Sequence, residues 1–153
     1  MTVRIVPASR AHLVEVGGLR WDDATGAGAE TGTTRRAFAE QFRDWVEEHS
    51  ASHHGLVGVD AVDGAVLAFG FLAVTPRVPT AERHHRTCAD VQSVWVAPDR
   101  RGDGVGGRLV AALLELAHEL GVEHVTVHSS PRAVTLYERV GFVHDRELLN
   151  HVL

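Results

Sequence analysis

The spacing of apolar residues predicts that strands and helices alternate along the first part of the chain. Residues 2–6 alternate polar and β-branched side chains, which favours a strand, and Ser9 is placed to cap the helix that follows. Residues 21–32 are rich in Gly, Ala, Asp and Thr without any period, and they therefore predict a loop. Thr33 or Thr34 then caps a second helix. The apolar residues of that helix recur on one face: Phe38, Phe42, Trp45 and Val46.

The middle of the chain has the pattern of an antiparallel hairpin. Residues 56–62 and 65–74 are β-rich, and the Asp-Gly pair between them is typical of a tight hairpin turn. Residues 75–86 contain two prolines and mixed charges, so we expect a connecting loop there. Residues 91–96 predict the next strand, which ends before Pro98.

Helical periodicity is strongest over residues 105–120, and Gly121 terminates that helix. Its buried face is formed by Leu109, Leu113, Ala117 and Leu120. Residues 122–127 then predict a short strand, residues 131–140 a short helix and residues 142–151 closing strands. The order β-α-α-β-β-β-α-β-α-β-β predicts an α/β fold of the α+β type. We expect a mixed, mainly antiparallel central sheet of six to seven strands with helices on both faces.

Composition and charge exclude several classes of protein. With 153 residues, of which 44% are hydrophobic and 23% charged, the chain has the size of one globular domain, residues 1–153. The formal net charge is −5 and no basic stripe is present, which argues against nucleic acid as a partner. No apolar run approaches the ~20 residues of a membrane span, and the N-terminal segment lacks a signal-peptide core. We therefore expect a cytoplasmic protein without membrane association.

Cysteine and histidine offer little for thiol or metal chemistry. Cys88 is the only cysteine, and its apolar and small neighbours favour a buried structural thiol over a nucleophile. The 11 histidines include two adjacent pairs, His53–His54 and His84–His85, whose side chains would point apart in a strand. No His-Glu-x-x-His is present. We expect no metal and interpret these histidines as solvated loop residues.

Four glycines within residues 102–107 join the strand 91–96 to the helix 105–120. A strand, a glycine turn and a helix N-terminus direct unpaired amide N–H groups at one point, which suits a phosphate. Glycine also lets the backbone approach a ligand with no Cβ in the way. The competing interpretation is a connection that binds nothing. In that case the glycines would increase the conformational entropy lost on folding with no gain in ligand binding.

Two other phosphate-binding folds fit this turn poorly. Gly102, Gly104 and Gly107 satisfy G-x-G-x-x-G, and the first and last of them have the end spacing of a P-loop. A P-loop needs Lys and then Ser or Thr after the last glycine, whereas this chain has Arg108 and Leu109. A dinucleotide-binding fold needs the turn after its first strand and an acidic residue at the end of the next strand. Neither condition is met, which disfavours nucleotide hydrolysis and dinucleotide binding.

The turn and a second motif together resemble one family. Arg101-Gly-Asp-Gly-Val-Gly106 is similar to the Arg/Gln-x-x-Gly-x-Gly/Ala turn of the GNAT superfamily of N-acetyltransferases, and a Val-x-Val-x-Pro strand end precedes it as in that family. Downstream, Ala133-Val-Thr-Leu-Tyr-Glu-Arg-Val-Gly-Phe142 resembles the family motif Ala-x-x-Leu-Tyr-Glu-x-x-Gly-Phe. Both motifs occur in the family order, within residues 91–142.

The resemblance implies that acetyl-CoA is the co-substrate and that backbone groups recognise it. The pyrophosphate is expected on the turn formed by Arg101, Gly102, Asp103, Gly104, Val105, Gly106 and Gly107. The pantetheine arm is expected along the strand edge formed by Val94, Trp95 and Val96, where the fourth and fifth strands splay into a V-shaped slot. Ser130 stands where many members have Asn, and with Pro131 it still makes a good helix start. Ser129 or Ser130 is then the candidate for a shorter hydrogen bond to the pantetheine.

The resemblance also implies the catalytic roles in acetyl transfer to a primary amine within a ternary complex. Tyr137, the only tyrosine, matches the general acid that protonates the leaving thiolate. Asp90 lies eleven residues before Arg101, where related enzymes carry a glutamate base, and its shorter side chain suits action through water. His128 and water alone are the alternatives for the base. The Val96 N–H is expected to stabilise the oxyanion.

The acceptor is expected to be a small-molecule or peptide amine. The family builds its acceptor pocket from loops that correspond to residues 21–33 and 75–86. There Trp21, Asp22 and Asp23 either attract a cationic amine or form an ordinary solvated surface. The competing class is a non-catalytic acetyl-CoA-binding or regulatory module of the same fold. Closing strands often pair between subunits in this family, which makes a homodimer one option for the assembly.

Overall fold

The computed structural model describes residues 2–153, which form one five-stranded sheet and four α-helices. The strands are β1 (Val3–Pro7), β2 (His53–Asp60), β3 (Val66–Arg77), β4 (Arg86–Val96) and β5 (Val125–Val127). The helices are α1 (Arg10–Gly26), α2 (Arg35–Glu48), α3 (Val105–Glu119) and α4 (Val134–Arg139), with 3-10 turns at Pro98–Arg100 and Pro131–Ala133. No helix within residues 2–153 is both long enough and apolar enough to cross a membrane.

The strands lie side by side in chain order, β1-β2-β3-β4-β5. Neighbouring strands are antiparallel except β4 and β5, which are parallel and are connected by the crossover helix α3. The predicted hairpin is confirmed, because β2 pairs with β3 from the His53 and Ala73 pair to the Val59 and Val66 pair. The predicted tight turn is wrong, since the strands end at Asp60 and begin at Val66 and five residues, 61–65, connect them. The mixed, mainly antiparallel character of the sheet is confirmed as well.

Helices cover both faces of the sheet, as predicted. On one face α1 and α2 form an apolar cluster in which Val16 of α1 packs with Phe69 and Phe71 of β3. On the other face α3 packs through Leu109 and Leu113, both 0% exposed. Burial of one such leucine contributes about 1.5–3 kcal/mol. Both residues therefore contribute to the attachment of α3 to the sheet. Leu120, which the sequence predicts on the same buried face, is 43% exposed, so that part of the prediction is wrong.

Helix α1 begins at the predicted cap but is longer than predicted. The Oγ of Ser9 accepts the amide N–H of His12 at 3.3 Å, and Nδ1 of His12 accepts the amide N–H of Ser9 at 3.1 Å. The helix continues to Gly26, so the start of the loop predicted after it is wrong. A contact between α1 and α2 accompanies this extension. Arg35 of α2 donates two hydrogen bonds of 2.8 Å to the carboxylate of Asp22, which holds the end of α1 against α2.

The ends of α2 and α3 follow local sequence signals. The Oγ1 of Thr34 accepts the amide N–H of Ala37 at 3.2 Å, so Thr34 is the residue that caps α2. Gly121 follows α3 with a φ of +69°, and the amide of Val122 donates back to the carbonyl of Ala117 at 3.2 Å. The predicted termination of α3 by glycine is confirmed.

The predicted closing strands are wrong. Residues 143–153 contain no strand, so the sheet has five strands instead of six to seven and the predicted chain order stops at α4. The charged run after Phe142 does not alternate, and Oδ1 of Asp145 accepts the amide N–H of Glu147 at 2.8 Å. A local side-chain bond of this kind competes with a strand ladder for the backbone donors.

A short ladder and one ion-pair cluster attach β5 to β4. The ladder joins three residue pairs. Just before β5, Glu123 accepts two hydrogen bonds from the guanidinium of Arg86 in β4, at 2.8 and 2.9 Å, and lies 3.4 Å from Arg83. The hydrogen bonds from Arg86 are the largest cause that lowers the pKa of Glu123 from 4.5 to about 2. The carboxylate therefore stabilises the β4 and β5 pair as long as it is ionised.

We expect Glu123→Gln to destabilise the fold at neutral pH and to have little effect in strong acid. A carboxylate whose folded-state pKa is depressed contributes stability above its unfolded pKa near 4.5, and that contribution is lost as the pH falls through about 2. Urea unfolding of wild type and variant across this range measures the difference in unfolding free energy. Glu119→Gln, at an exposed position in α3, is the control. A difference that stays constant between neutral pH and about pH 2 contradicts this role of Glu123.

Candidate functional site

A bulge in β4 produces the central feature of the site. Phe71 pairs with Gln92 and Phe69 pairs with Trp95, so β4 has one extra residue opposite β3. Ser93 lies in this bulge with a φ of +57°, a left-handed conformation that few non-glycine residues adopt. In the part of the chain that the structure describes, β5 pairs with β4 only before the bulge. Pairing between the fourth and fifth strands therefore ends at Val91 and Val127, and the edge of Val94–Val96 is left open where the family resemblance expects a slot.

The glycine turn, residues 101–107, follows the end of β4 and carries open backbone amides. Gly102 and Gly104 have φ of +94° and +78°, and Gly104 is the N-cap of α3. A Cβ added at Gly104 or Gly107 would meet no atom within 4 Å, so the space beside this backbone is open. The first amides of α3 have no carbonyl one turn earlier to bond, and they lie at the positive end of the helix dipole. The turn is therefore suited to a phosphate.

Two contacts fix the glycine turn against its surroundings. Nε of Arg101 donates to the carbonyl oxygen of Val96 at 3.1 Å, which ties the start of the turn to the end of β4. Gly106 is buried, and a Cβ there would lie 2.8 Å from Cδ1 of Leu136 in α4. This glycine thus lets α3 approach α4. The residues predicted to bind the cofactor therefore lie near one another, on the strand edge of β4 and on the turn. Asp103 of the turn is exposed.

Asp90 is held in a fixed position beside the separation of the strands. Its Oδ1 accepts a hydrogen bond from Oγ1 of Thr126 at 3.0 Å, and its Oδ2 accepts one from Nε2 of Gln92 at 3.2 Å. Its chain neighbours Ala89 and Val91 belong to the apolar core shared with α3. Since side chains alternate along a strand, Asp90 lies on the opposite face, which α1 and α2 cover.

Tyr137 lies on the α3 and α4 face of the sheet. It is 7% exposed, it belongs to the core shared with α3, and burial raises the pKa of its phenol. Its ring packs edge-on against Phe142, with 5.5 Å between the ring centroids. Tyr137 lines a cavity of about 600 Å³ that is formed by β5, α3, α4 and the segment after α4. Among the described residues, none of β4 lines this cavity, so Tyr137 and Asp90 do not share one pocket.

The other predicted residues follow β5. Ser130 stands at the start of the next helical element as predicted, but that element is a 3-10 turn and the Ser130 side chain makes no capping hydrogen bond. Ser130 and Pro131 thus begin this element as predicted, without a capping hydrogen bond from the Ser130 side chain. The carbonyl of Ser130 accepts a hydrogen bond from Oγ of Ser129 at 2.8 Å. His128 is exposed directly after β5.

Two cavities open on the α1 and α2 face, and sequence reasoning missed most of their lining. We call them the Phe42 cavity, of about 240 Å³, and the Trp95 cavity, of about 280 Å³. Arg20 and Ser93 line both, so the cavities adjoin at the bulge of β4. Arg20 lies one turn after Val16 on the buried face of α1, where an apolar residue is expected. A charged residue at a position where helical spacing predicts an apolar one is the sequence signal that could have identified these cavities.

His53 is not the solvated loop residue that the sequence predicts. It begins β2, it is half-buried, and it lines the Phe42 cavity. Its ring packs edge-on against Trp45 at 5.0 Å, and its Nδ1 lies 2.9 Å from Oγ of Ser52. Burial lowers the pKa of His53 from 6.5, and the charges of His49 and His54 lower it further. The imidazole is therefore mostly neutral at pH 7.

Charged groups and the cysteine differ from expectation in two places. Asp22 is already paired, because Arg35 donates hydrogen bonds to both of its carboxylate oxygens. Cys88 lies in β4 and is partly exposed, so the prediction of a buried thiol is wrong. Within residues 2–153, no group of three or more His, Cys, Asp or Glu side chains is arranged to hold a metal ion.

Comparison with known proteins connects this geometry to one family. Residues 17–142 match the family model of the acetyltransferase (GNAT) family. The chain is 33% identical over 118 residues to mycothiol acetyltransferase from Pseudarthrobacter chlorophenolicus, covering 74% of this chain and 34% of that protein. It is 29% identical over 86 residues to glucosamine 6-phosphate N-acetyltransferase from Trypanosoma brucei brucei, covering 56% of each. The chain thus spans between 34% and 56% of the length of these two relatives.

Solved structures of acetyltransferases share the fold. Glucosamine-6-phosphate N-acetyltransferase from Arabidopsis thaliana superposes with a TM-score of 0.74 at 18% identity, over 99% of both chains. A predicted acetyltransferase with acetyl-CoA from Clostridium acetobutylicum superposes with a TM-score of 0.77 at 14% identity, over 99% of this chain and 96% of that one. At these identities the likeness shows the fold alone.

Proposed function

Because this chain belongs to the acetyltransferase (GNAT) family, we propose that it transfers the acetyl group of acetyl-CoA to a primary amine while both substrates are bound. One observation carries the proposal: the open amides of the glycine turn adjoin the edge of β4 that β5 leaves unpaired in the described chain. Acetyl-CoA supplies the activated acetyl thioester and a pyrophosphate. The turn fits the pyrophosphate because the first amides of α3 have no carbonyl one turn earlier to bond and because Gly102, Gly104 and Gly107 leave open space beside the backbone.

The edge of β4 offers a second set of backbone groups for the same ligand. After the bulge, the edge of Val94–Val96 that faces away from β3 has no strand partner in the described chain, so an extended segment can lie along it in the manner of an added strand. Arg101 holds the Val96 carbonyl with its Nε and adds a positive charge beside the turn. We assign the turn to the pyrophosphate and the strand edge to the extended arm, so that recognition depends mainly on backbone.

We expect acetyl-CoA to raise the melting temperature of the wild type but not that of Gly107→Glu. Ligand at about 100 times its Kd adds ~2.7 kcal/mol to stability. A side chain at Gly107 projects into open space, so the fold tolerates the glutamate while its charge repels the pyrophosphate. The control Ala111→Glu adds the same charge at an exposed position one turn further along α3, and it should keep the shift. Thermal unfolding with and without acetyl-CoA measures both variants. An undiminished shift in Gly107→Glu contradicts this binding site.

The candidate acid and base lie on opposite faces of the sheet, which suits two substrates that approach from different sides. On the α4 side, Tyr137 stays protonated because burial raises its pKa, and it can donate this proton to the leaving thiolate. This role requires its hydroxyl to reach from its cavity to the strand separation. On the α1 side, Asp90 can accept the proton of the amine directly or through water, positioned by Thr126 and Gln92. His128 and water alone are the alternatives for the base.

We expect Tyr137→Phe to lower turnover far more than acetyl-CoA binding. The substitution keeps the ring in the core and removes the proton donor, and loss of a general acid typically costs about 10²–10⁴-fold in rate. Steady-state kinetics give kcat, and the melting shift reports acetyl-CoA binding.

Asp90→Asn is the comparison for Tyr137→Phe. Its defect should be smaller and should shrink at high pH, because more of the free amine is present there. Wild-type kcat in Tyr137→Phe, under conditions where chemistry is rate-limiting, would identify Tyr137 as a packing residue.

An amine panel tests the activity itself and separates it from the competing function, a non-catalytic acetyl-CoA-binding or regulatory module. The relatives named for mycothiol and glucosamine 6-phosphate lead us to propose a small-molecule acceptor. We expect acetyl-CoA-dependent release of free thiol with at least one amine, together with the acetylated product in the mass spectrum. The panel contains amino sugars, amino acids and short peptides with a free N-terminus. Binding of acetyl-CoA without thiol release above background across this panel supports the binding module instead.

A further inference from the structure

Arg20 is a half-buried cation without an anionic partner in direct contact. Its guanidinium carbon lies 5.6 Å from the centroid of the Phe42 ring, and the residue lines both the Phe42 cavity and the Trp95 cavity. Within residues 2–153, Asp23 is the carboxylate that acts on Arg20, and it does so without a hydrogen bond. Burial lowers the pKa of Arg20 more than Asp23 raises it. Arg35 on the neighbouring helix, by contrast, is fully paired with its own carboxylate.

This arrangement is costly unless something outside the chain completes it. A guanidinium that loses water needs an anion or several acceptors in exchange. The contact with the Phe42 ring offsets part of that loss. The N–H groups of a guanidinium point outward in the plane of the guanidinium, however, and a ring face does not accept hydrogen bonds from them. The structure thus leaves a directional cation at the junction of two open cavities.

A second donor at the same place also lacks an acceptor. Trp95 lines the Trp95 cavity and stacks on Phe69 with 5.3 Å between the ring centroids. Its buried Nε1–H has no hydrogen-bond partner in the described chain. Buried N–H groups in folded proteins are nearly always hydrogen-bonded. Arg20 and Trp95 therefore both line the Trp95 cavity, and each has a donor group without a hydrogen bond in the described chain.

We propose that the acceptor is an amine that also carries a carboxylate or phosphate group, and that Arg20 binds this group at the junction of the two cavities. This inference rests on the proposed acetyltransferase function and specifies its acceptor. Gln92 and Ser93 line the Phe42 cavity, and Gln92 donates to Asp90, so the anion site adjoins the proposed base. The charge preference is opposite to that of a pocket for a purely cationic amine, which was one of the two interpretations of the acidic residues in this region.

Matched pairs of amines test the proposal. Each pair differs in the anionic group: glucosamine 6-phosphate and glucosamine, O-phosphoethanolamine and ethanolamine, and alanine and alaninamide. We measure kcat/KM for both members of each pair in the wild type, in Arg20→Gln and in Arg20→Lys. The ratio of anionic to neutral substrate, compared between wild type and variant, cancels differences in amine basicity and size within a pair.

In the wild type we expect the anionic member of at least one pair to be preferred. Arg20→Gln should reduce that preference by about 10- to 100-fold, the range for a hydrogen bond to a charged group, mainly through KM. Arg20→Lys should retain part of it, because the charge remains while the planar fork is lost. The phosphate and carboxylate pairs show which anion the site takes.

Arg36→Gln is the matched control. It removes the same charge from an exposed position in α2, where Arg36 is paired with Glu40, and it should leave every ratio unchanged. The melting shift with acetyl-CoA verifies that Arg20→Gln still folds and binds the co-substrate, and Arg20→Lys supplies the test if it does not.

Equal use of anionic and neutral members, or ratios that Arg20→Gln and Arg20→Lys leave unchanged, overturns this inference and leaves the acetyltransferase function standing. A panel in which no amine is acetylated contradicts the proposed function, and this inference with it.

Discussion

The site depends on the point at which β4 stops pairing with β5. Three residue pairs join the two strands, and the bulge at Ser93 then redirects the remainder of β4. A longer ladder would cover the edge of Val94–Val96 that faces away from β3 and would leave no opening there. Because β5 does not pair with this edge within the described residues, the end of β4 keeps an open edge near the glycine turn and the first turn of α3. Asp90 lies on one side of the opening and α4 on the other.

The opening is stable because the elements around it are held firmly elsewhere. Leu109 and Leu113 are fully buried between α3 and the sheet. Opposite the bulge, Gly70 leaves room for this packing, since a Cβ there would lie 3.1 Å from Cδ1 of Leu113 and 3.3 Å from Cγ2 of Val94. At the far end of the short ladder, Glu123 and its arginine partners fix β5 to the start of β4. The backbone at the opening is thus positioned by contacts that a ligand does not have to supply.

The charged groups around the opening determine which ligand charge each side of it favours. The positive end of the α3 dipole and Arg101 favour an anion at the glycine turn. On the α1 and α2 face, Arg35 neutralises Asp22, whereas Arg20, beside the two cavities, has no hydrogen-bonded carboxylate within residues 2–153. One arginine therefore contributes to the joining of α1 and α2, and the other contributes its charge to the cavity wall. The same helix pair provides both the scaffold and the polarity of the proposed acceptor site.

Local signals in the sequence determined much of this protein. Ser9, Thr34 and Gly121 act within a few residues of their own positions, and the Asp-Gly pair and the apolar faces of α2 and α3 depend on spacing alone. The glycine turn and the family motifs were visible for the same reason, because each is a continuous stretch of chain.

Only the tertiary structure decided the bulge at Ser93, the partners of Asp90 and the burial of Tyr137. It also decided the extension of α1 through the Asp22 and Arg35 pair, the placement of Arg20 and His53 beside one cavity, and the loss of the closing strands. These features arise between residues far apart in the chain, or from competition between a local hydrogen bond and a ladder. The sequence pattern cannot predict long-range contacts or the outcome of this competition, because the energy of a contact depends on which surfaces the fold brings together.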